Sequence, residues 1–270
     1  MTAGGPRRGR IAGTAFEHAG EGPPVLLVHG LGLTRAMWDG PWPALAERFH
    51  VVRYDLLGHG QSDKPRDGYC LDRFAGQAAD LMDGLGLARA AVVGFSLGGL
   101  IAQAFALARP ERTAALAVLN AAHDRSDAER AAVRARAAQA ARDGPEATVE
   151  AALARWFTDA YAAAHPETLA RVRGWILAND PRVYPQAYRV LAEGDRELAA
   201  AVGAIRAPTL VMTGGEDRGN SPDMARRLAA RVPGARLEIV PGLRHLGLME
   251  DPEAFARPLI EFLDAALRSA

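Results

Sequence analysis

Six short apolar runs, with helical stretches between several of them, constrain this chain more than any other feature. They are PVLLVHG (24–30), HVVRYD (50–55), AAVVGF (90–95), AALAVLN (114–120), PTLVMTG (208–214) and RLEIVPG (236–242). Most lack the polar alternation of a half-exposed strand, so they read as strands buried on both faces. Helical segments are expected over 71–85, 97–108, 222–231 and 252–267, the last with Asp251 as N-cap and Pro252 at the first helical position. Strand and helix in alternation imply an α/β fold: a mostly parallel, doubly wound sheet covered by helices on both faces.

The strand pattern stops between Asn120 and Ile205. The composition there turns to Ala, Arg and Glu, with helical periodicity around DAERAAVRARAAQAAR, TVEAALARWF and PETLARVRGWIL. This divides the chain into a core, residues 1–120 and 205–270, and a helical cap insert, residues 121–204. Inserts at the carboxyl edge of such sheets roof the active site, which makes Trp156, Phe157 and Trp175 candidate pocket walls; plain cap core is the other reading of the three. Between residues 121 and 200 arginines and carboxylates nearly balance, so charge there favours neither an anionic nor a cationic substrate.

A length of 270 residues with 49% apolar content leaves ample material for one core. A formal charge of zero removes bulk attraction to nucleic acid, which is not an expected partner. No apolar run approaches the roughly 18 residues of a membrane span, and MTAGGPRRGRIAGTAFEHAG has no apolar core of signal-peptide length. A cytoplasmic protein away from membranes is expected. Cys70 is the single cysteine and reads as a packing residue, so no disulfide or thiolate cluster forms. Without a Cys/His cluster, HExxH or a GxGxxG fingerprint, neither metal nor organic cofactor is expected.

Chemistry enters at VVGFSLGGL, residues 92–100. Ser96 is one of only five serines and sits between glycines at the end of an apolar run. A serine attacks a carbonyl when it projects free of the sheet, has a base beside it, and faces donors for the oxyanion. A tight strand-to-helix turn meets the first and third needs, provided that the positions two before and two after, here Gly94 and Gly98, are nearly free of side chain. Gly99 adds room for close packing. The Leu97 amide, at the start of the next helix, is one oxyanion donor. In VLLVHGLGLT, Gly30 lets the chain turn sharply and leaves the Leu31 amide as the best second donor, with His29 bracing the loop.

The base and its orienting acid come from later strand-end loops, in the order serine, acid, histidine. Of the seven histidines only His245 follows a late strand, in RLEIVPGLRHLGLMEDP, which makes it the general base. In VMTGGEDRGNSP, Asp217 is the favoured acid and Glu216 its rival, while Asp223 suits the first turn of the next helix.

With these residues in place, the chain resembles α/β-hydrolase fold proteins over nearly its whole length. The matching segments are HGLG (29–32), YDLLGHGQSDKP (54–65), GFSLGG (94–99), GGED (214–217) and RHLGLMEDPEAF (244–255). His59, in GHG, matches a turn motif and reads as structural. The resemblance implies a serine hydrolase of small-molecule carboxylic esters or lactones. Serine at position 96 separates the chain from haloalkane dehalogenases and epoxide hydrolases, which carry aspartate there. The stretch RWFTDAYAAAHPETLARVRGWILANDP (155–181) most resembles 3-oxoadipate enol-lactonases. Leu57 and Arg244 depart from that pattern, at places where arginine and a small residue are common. The same residues also serve carboxylesterases, thioesterases, carbon–carbon bond hydrolases and cofactor-free haloperoxidases or perhydrolases, and a ligand-sensing receptor on this fold keeps the triad as well.

Overall fold

Before the first expected strand comes a hairpin that apolar patterning did not reveal. In the computed structural model β1 (Arg7–Ile11) and β2 (Thr14–Ala19) pair antiparallel. Residues 6–268 are described; residues 1–5 and 269–270, part of the amino-terminal stretch and the outer ends of the two core segments drawn above, lie outside them. The chain continues through β3 (Pro24–Val28), α1 (Trp42–Ala46), β4 (His50–Tyr54), α2 (Leu71–Gly84), β5 (Ala90–Phe95), α3 (Leu97–Ala108) and β6 (Thr113–Leu119). Five helices follow before the next strand: α4 (Asp127–Asp143), α5 (Glu146–Trp156), α6 (Asp159–Ala164), α7 (Pro166–Leu177) and α8 (Tyr184–Ala199). Then come β7 (Thr209–Gly214), α9 (Pro222–Arg231), β8 (Arg236–Val240), α10 (Gly247–Glu250) and α11 (Pro252–Arg268).

The eight strands run in the order β1-β2-β4-β3-β5-β6-β7-β8, parallel from β4 to β8. Two of them, β1 and β2, were thus absent from the sequence reading. The reason is physical: RRGRI is an exposed edge strand with three arginines, a pattern that suits a sheet border and hides from a search for apolar runs. The central strands behave as expected. Leu26 and Val28 of β3 pack with α2, α3 and α9 on one face, while Val25 and Leu27 pack with α1 and α11 on the other, all four fully buried. Burial on both faces is what removes polar alternation from these strands.

Connections from β3 lead first to β4 on one side, and the chain then returns to place β5 on the other. The loops after β3 and β5 therefore diverge at a topological switch point, where a crevice opens at the carboxyl edge of the sheet. The α4–α8 segment leaves from that same edge, between β6 and β7.

Candidate active site

Ser96 occupies the apex between β5 and α3 with φ 54° and ψ −113°, a strained conformation for a residue with a side chain. The turn is compact enough that a Cβ on Gly94 would collide with the Gly98 carbonyl, and one on Gly98 with the Val28 carbonyl. These clashes explain both glycines. Leu97 opens α3, whose first amides lack intrahelical acceptors. Across the crevice, the role assigned to Gly30 needs correction. Gly32, with φ 74°, makes the left-handed turn. At Gly30 a Cβ would sit a tight 3.2 Å from the Ser96 Cβ and 3.1 Å from the Phe95 ring, so the loop that leads to Leu31 runs close against the serine.

His245 and Asp217 meet as a buried pair. The imidazole Nδ1 lies 2.7 Å from Asp217 Oδ2, and both side chains are almost wholly removed from solvent. Asp217 also accepts from Asn120 Nδ2 (2.9 Å) and from the Gly219 and Asn220 amides (2.9 Å each). Burial pushes its carboxyl pKa up, but His245's charge and hydrogen bond, with the Asn220 and Asn120 donors, outweigh burial and hold it below the ordinary carboxylate range. Glu216, the rival acid, is exposed, and the imidazole Nδ1 partner is Asp217 instead. Phe95 and Trp156 flank the imidazole, with ring centroids 4.9 and 5.7 Å away.

Ser96, His245 and Asp217 line one cavity, together with Gly30, Leu31 and Trp156. Ser96 and His245 share this cavity wall without a hydrogen bond between their side chains. Of the three aromatic walls expected from the sequence, only Trp156 lines the cavity. Phe157 is 1% exposed and stacks on Tyr161. Trp175 packs against the same apolar cluster, with Arg171 over its ring. Ile176, Tyr184 and Tyr188 line the cavity instead. Helical periodicity marked an aromatic stripe without telling which side faced inward.

Supporting residues behave in three ways. His29 braces its loop as expected, with Nδ1 donating to Gly30 O (2.7 Å) and Nε2 accepting from the Leu56 amide (2.9 Å). His59 is fully buried against His29, and burial followed by the His29 charge pushes its pKa down to about 3. Cys70 is not a packing residue: it is exposed and its Sγ caps α2 by accepting from the Arg73 amide (3.4 Å).

Two functional candidates escaped the sequence reading. Asn120, at φ 48°, ends β6 and donates to the Asp217 carboxylate. Asn220 donates its side-chain amide to Asn120 O (2.6 Å) and accepts from Arg125 (3.4 Å). A strand-end asparagine in a left-handed conformation is a recognisable signal, though only beside a known acid loop.

The sequence profile described as alpha/beta hydrolase fold matches residues 23–252. The chain is 30% identical, over 91% of its length and 92% of the relative's, to (E)-2-((N-methylformamido)methylene)succinate hydrolase of Acinetobacter baylyi. Its structure is similar to that of an enol-lactonase from Burkholderia xenovorans, with a TM-score of 0.86, 30% identity, and coverage of 96% of this chain and 100% of the other. It is also similar to a malate-bound thermophilic esterase from Thermogutta terrifontis, with a TM-score of 0.87, 30% identity, and coverage of 96% and 99%.

Proposed function

Because this chain belongs to the alpha/beta hydrolase fold family, we propose that it is a serine hydrolase of carboxylic esters or lactones, working through Ser96, His245 and Asp217. The carrying observation is the buried His245–Asp217 hydrogen bond, 2.7 Å long, on the cavity that also holds the strained Ser96. In this reading His245 Nε2 takes the Ser96 proton as Oγ attacks the carbonyl carbon. Asp217 fixes the tautomer by accepting from Nδ1–H and stabilises the imidazolium that forms. The Leu31 and Leu97 amides receive the oxyanion. Collapse of the tetrahedral adduct expels the alcohol, or opens the lactone ring, with the proton returned from His245. Water, activated by the same imidazole, then releases the acyl group. The α4–α8 segment acts as a cap over this chemistry, within the division 1–120 and 205–270 for the core and 121–204 for the insert.

Resemblance to enol-lactonases supports an enol lactone as one substrate. Its leaving group departs as an enolate that becomes a ketone, so it needs less help from the acid than an alkoxide does. A panel of small esters, enol and saturated lactones, and thioesters tests the reading. Ser96→Ala is expected to lower kcat by about 10⁴-fold or more, and Asp217→Asn by a similar order. Glu216→Gln serves as the comparison that loses little. Retention of more than roughly a few per cent of kcat by Ser96→Ala sinks the mechanism.

A further inference from the structure

The cavity that holds Ser96 and His245 is also lined by Arg125, Arg136 and Arg155. Among the described residues Asp217 is the one carboxylate on its wall, and it is committed to His245. Arg125 shares the buried Asp195 with Arg130, so two guanidiniums face a single carboxylate there. Among the described residues no ion pair reaches Arg136 or Arg155, whereas Arg134 of the same segment pairs with Glu193 and Arg173 with Glu150. The balanced composition of the segment is thus sorted in space. Its acids stay off the cavity wall, while Arg125, Arg136 and Arg155 stand on it.

Arg136 comes from α4 and Arg155 from α5, both half-buried, and the Tyr184 and Tyr188 rings of α8 lie beside Arg155. Burial first, and then the Arg136 charge, pull the Arg155 pKa below its ordinary value. Arginine does not give up its proton in this range, so the pull reports an unfavourable environment for a cation. Two adjacent guanidiniums under a roof are costly unless an anion accompanies them.

We infer that Arg136 and Arg155 form a carboxylate-binding site in the catalytic cavity, and that the substrate is an ester or lactone bearing a carboxylate apart from its scissile carbonyl. This rests on the hydrolase reading above and deepens it by naming the substrate class. A guanidinium presents paired N–H donors that match a carboxylate, and a second cation beside it adds charge without competing for the same geometry. Arg136 and Arg155 then act as specificity-determining residues: they orient the carboxylate end, and the carbonyl end is delivered to Ser96.

The test compares two esters with the same leaving group, 4-nitrophenyl hydrogen glutarate and neutral 4-nitrophenyl pentanoate. The wild-type protein is expected to prefer the charged ester in kcat/KM. Arg155→Met and Arg136→Met each lower that preference by about 10-fold or more, mainly through KM, and Arg155→Lys restores part of it. Arg173→Gln, on the outer surface, leaves the preference where it was. Calorimetric titration of glutarate into Ser96→Ala protein, with and without Arg155→Met, reads the site without turnover. Glutarate binding that weakens with Arg155→Met, in a protein that hydrolyses no ester, keeps the anion site and ends the hydrolase reading. Ser96-dependent hydrolysis with no preference for the charged ester and no glutarate binding ends the anion site and keeps the hydrolase. If a methionine variant fails to fold, the wild-type preference and glutarate binding by Ser96→Ala still decide.

Discussion

His59 shows how far a single side chain can be displaced from its solution chemistry. It has no exposed surface, lies 5.3 Å from the His29 ring, and donates through Nδ1 to Leu57 O, which fixes it as a neutral imidazole. Its folded pKa of about 3 is below the ordinary 6.5, so the unfolded chain binds the proton first as pH falls. The stability linked to this residue is therefore complete above pH 6.5 and is lost progressively toward pH 3. Urea unfolding at a series of pH values is expected to show that decline, and His59→Gln should flatten it; an equally steep decline in the variant contradicts the assignment. Residues of this kind were readable in part. The placing of His29, Ser96 and His245 followed from strand ends and glycines, which leave a local signature. Asn120 left only its place at a strand end, and Asn220 left none, because their value lies in contacts across about a hundred residues of sequence, 97 for Asn120 to Asp217.

Among elements, the turn from α5 to α6 is fastened to the loop that carries His245. Arg244 Nη1 donates to Ala154 O (3.2 Å), Phe157 O (2.7 Å) and Asp159 Oδ1 (2.8 Å). The Leu246 amide donates to Trp156 O (2.9 Å), and Thr158 donates to Glu250 in the same seam. Arg244 is, with Leu57, one of the two residues that depart from the enol-lactonase pattern, and these bonds give it a structural purpose. The Asp159 carboxylate is 91% exposed, so its share of the ion pair is small and the buried carbonyl bonds dominate. Arg244→Ala is expected to destabilise the protein by about 1–3 kcal/mol, while Asp159→Ala, which removes a solvent-screened carboxylate, costs clearly less. Thermal and urea unfolding check both; a larger loss for Asp159→Ala reverses the ranking. The helices α4, α5 and α7 matched their periodic segments, but α8 did not stand out, since its buried face mixes tyrosines, alanines, a glycine and the charged Asp195 with only Val190 and Leu198 as aliphatic side chains.

For the molecule as a whole, the alternation of apolar runs and helices was enough to define a parallel sheet, because continuous burial is a property of each strand by itself. Strand order, the antiparallel hairpin and the direction each insert helix faces depend on partners distant in sequence. The exposed border of the sheet is β1, where Arg7, Arg8 and Arg10 stand on the strand that pairs only with β2. Charged side chains on a border strand oppose its pairing with another molecule. Replacing all three arginines by valine is expected to raise aggregation during concentration, followed by light scattering. Unchanged scattering would mean that another feature guards this border. No helix among the described residues is long and apolar enough to cross a membrane.

The Asp195 carboxylate has a consequence for how such a molecule diversifies. It sits at 0% exposure on α8, holding Arg125 and Arg130, and Arg125 reaches Asn220, whose amide in turn supports Asp217. The helical segment is thus keyed to the acid loop by a relay of charge and amide. Grafting a foreign insert between β6 and β7 separates Asp195 from Asn220 unless the junction residues travel together. Recombination that preserves this relay can change the wall of the cavity while the His245–Asp217 pair beneath stays in register.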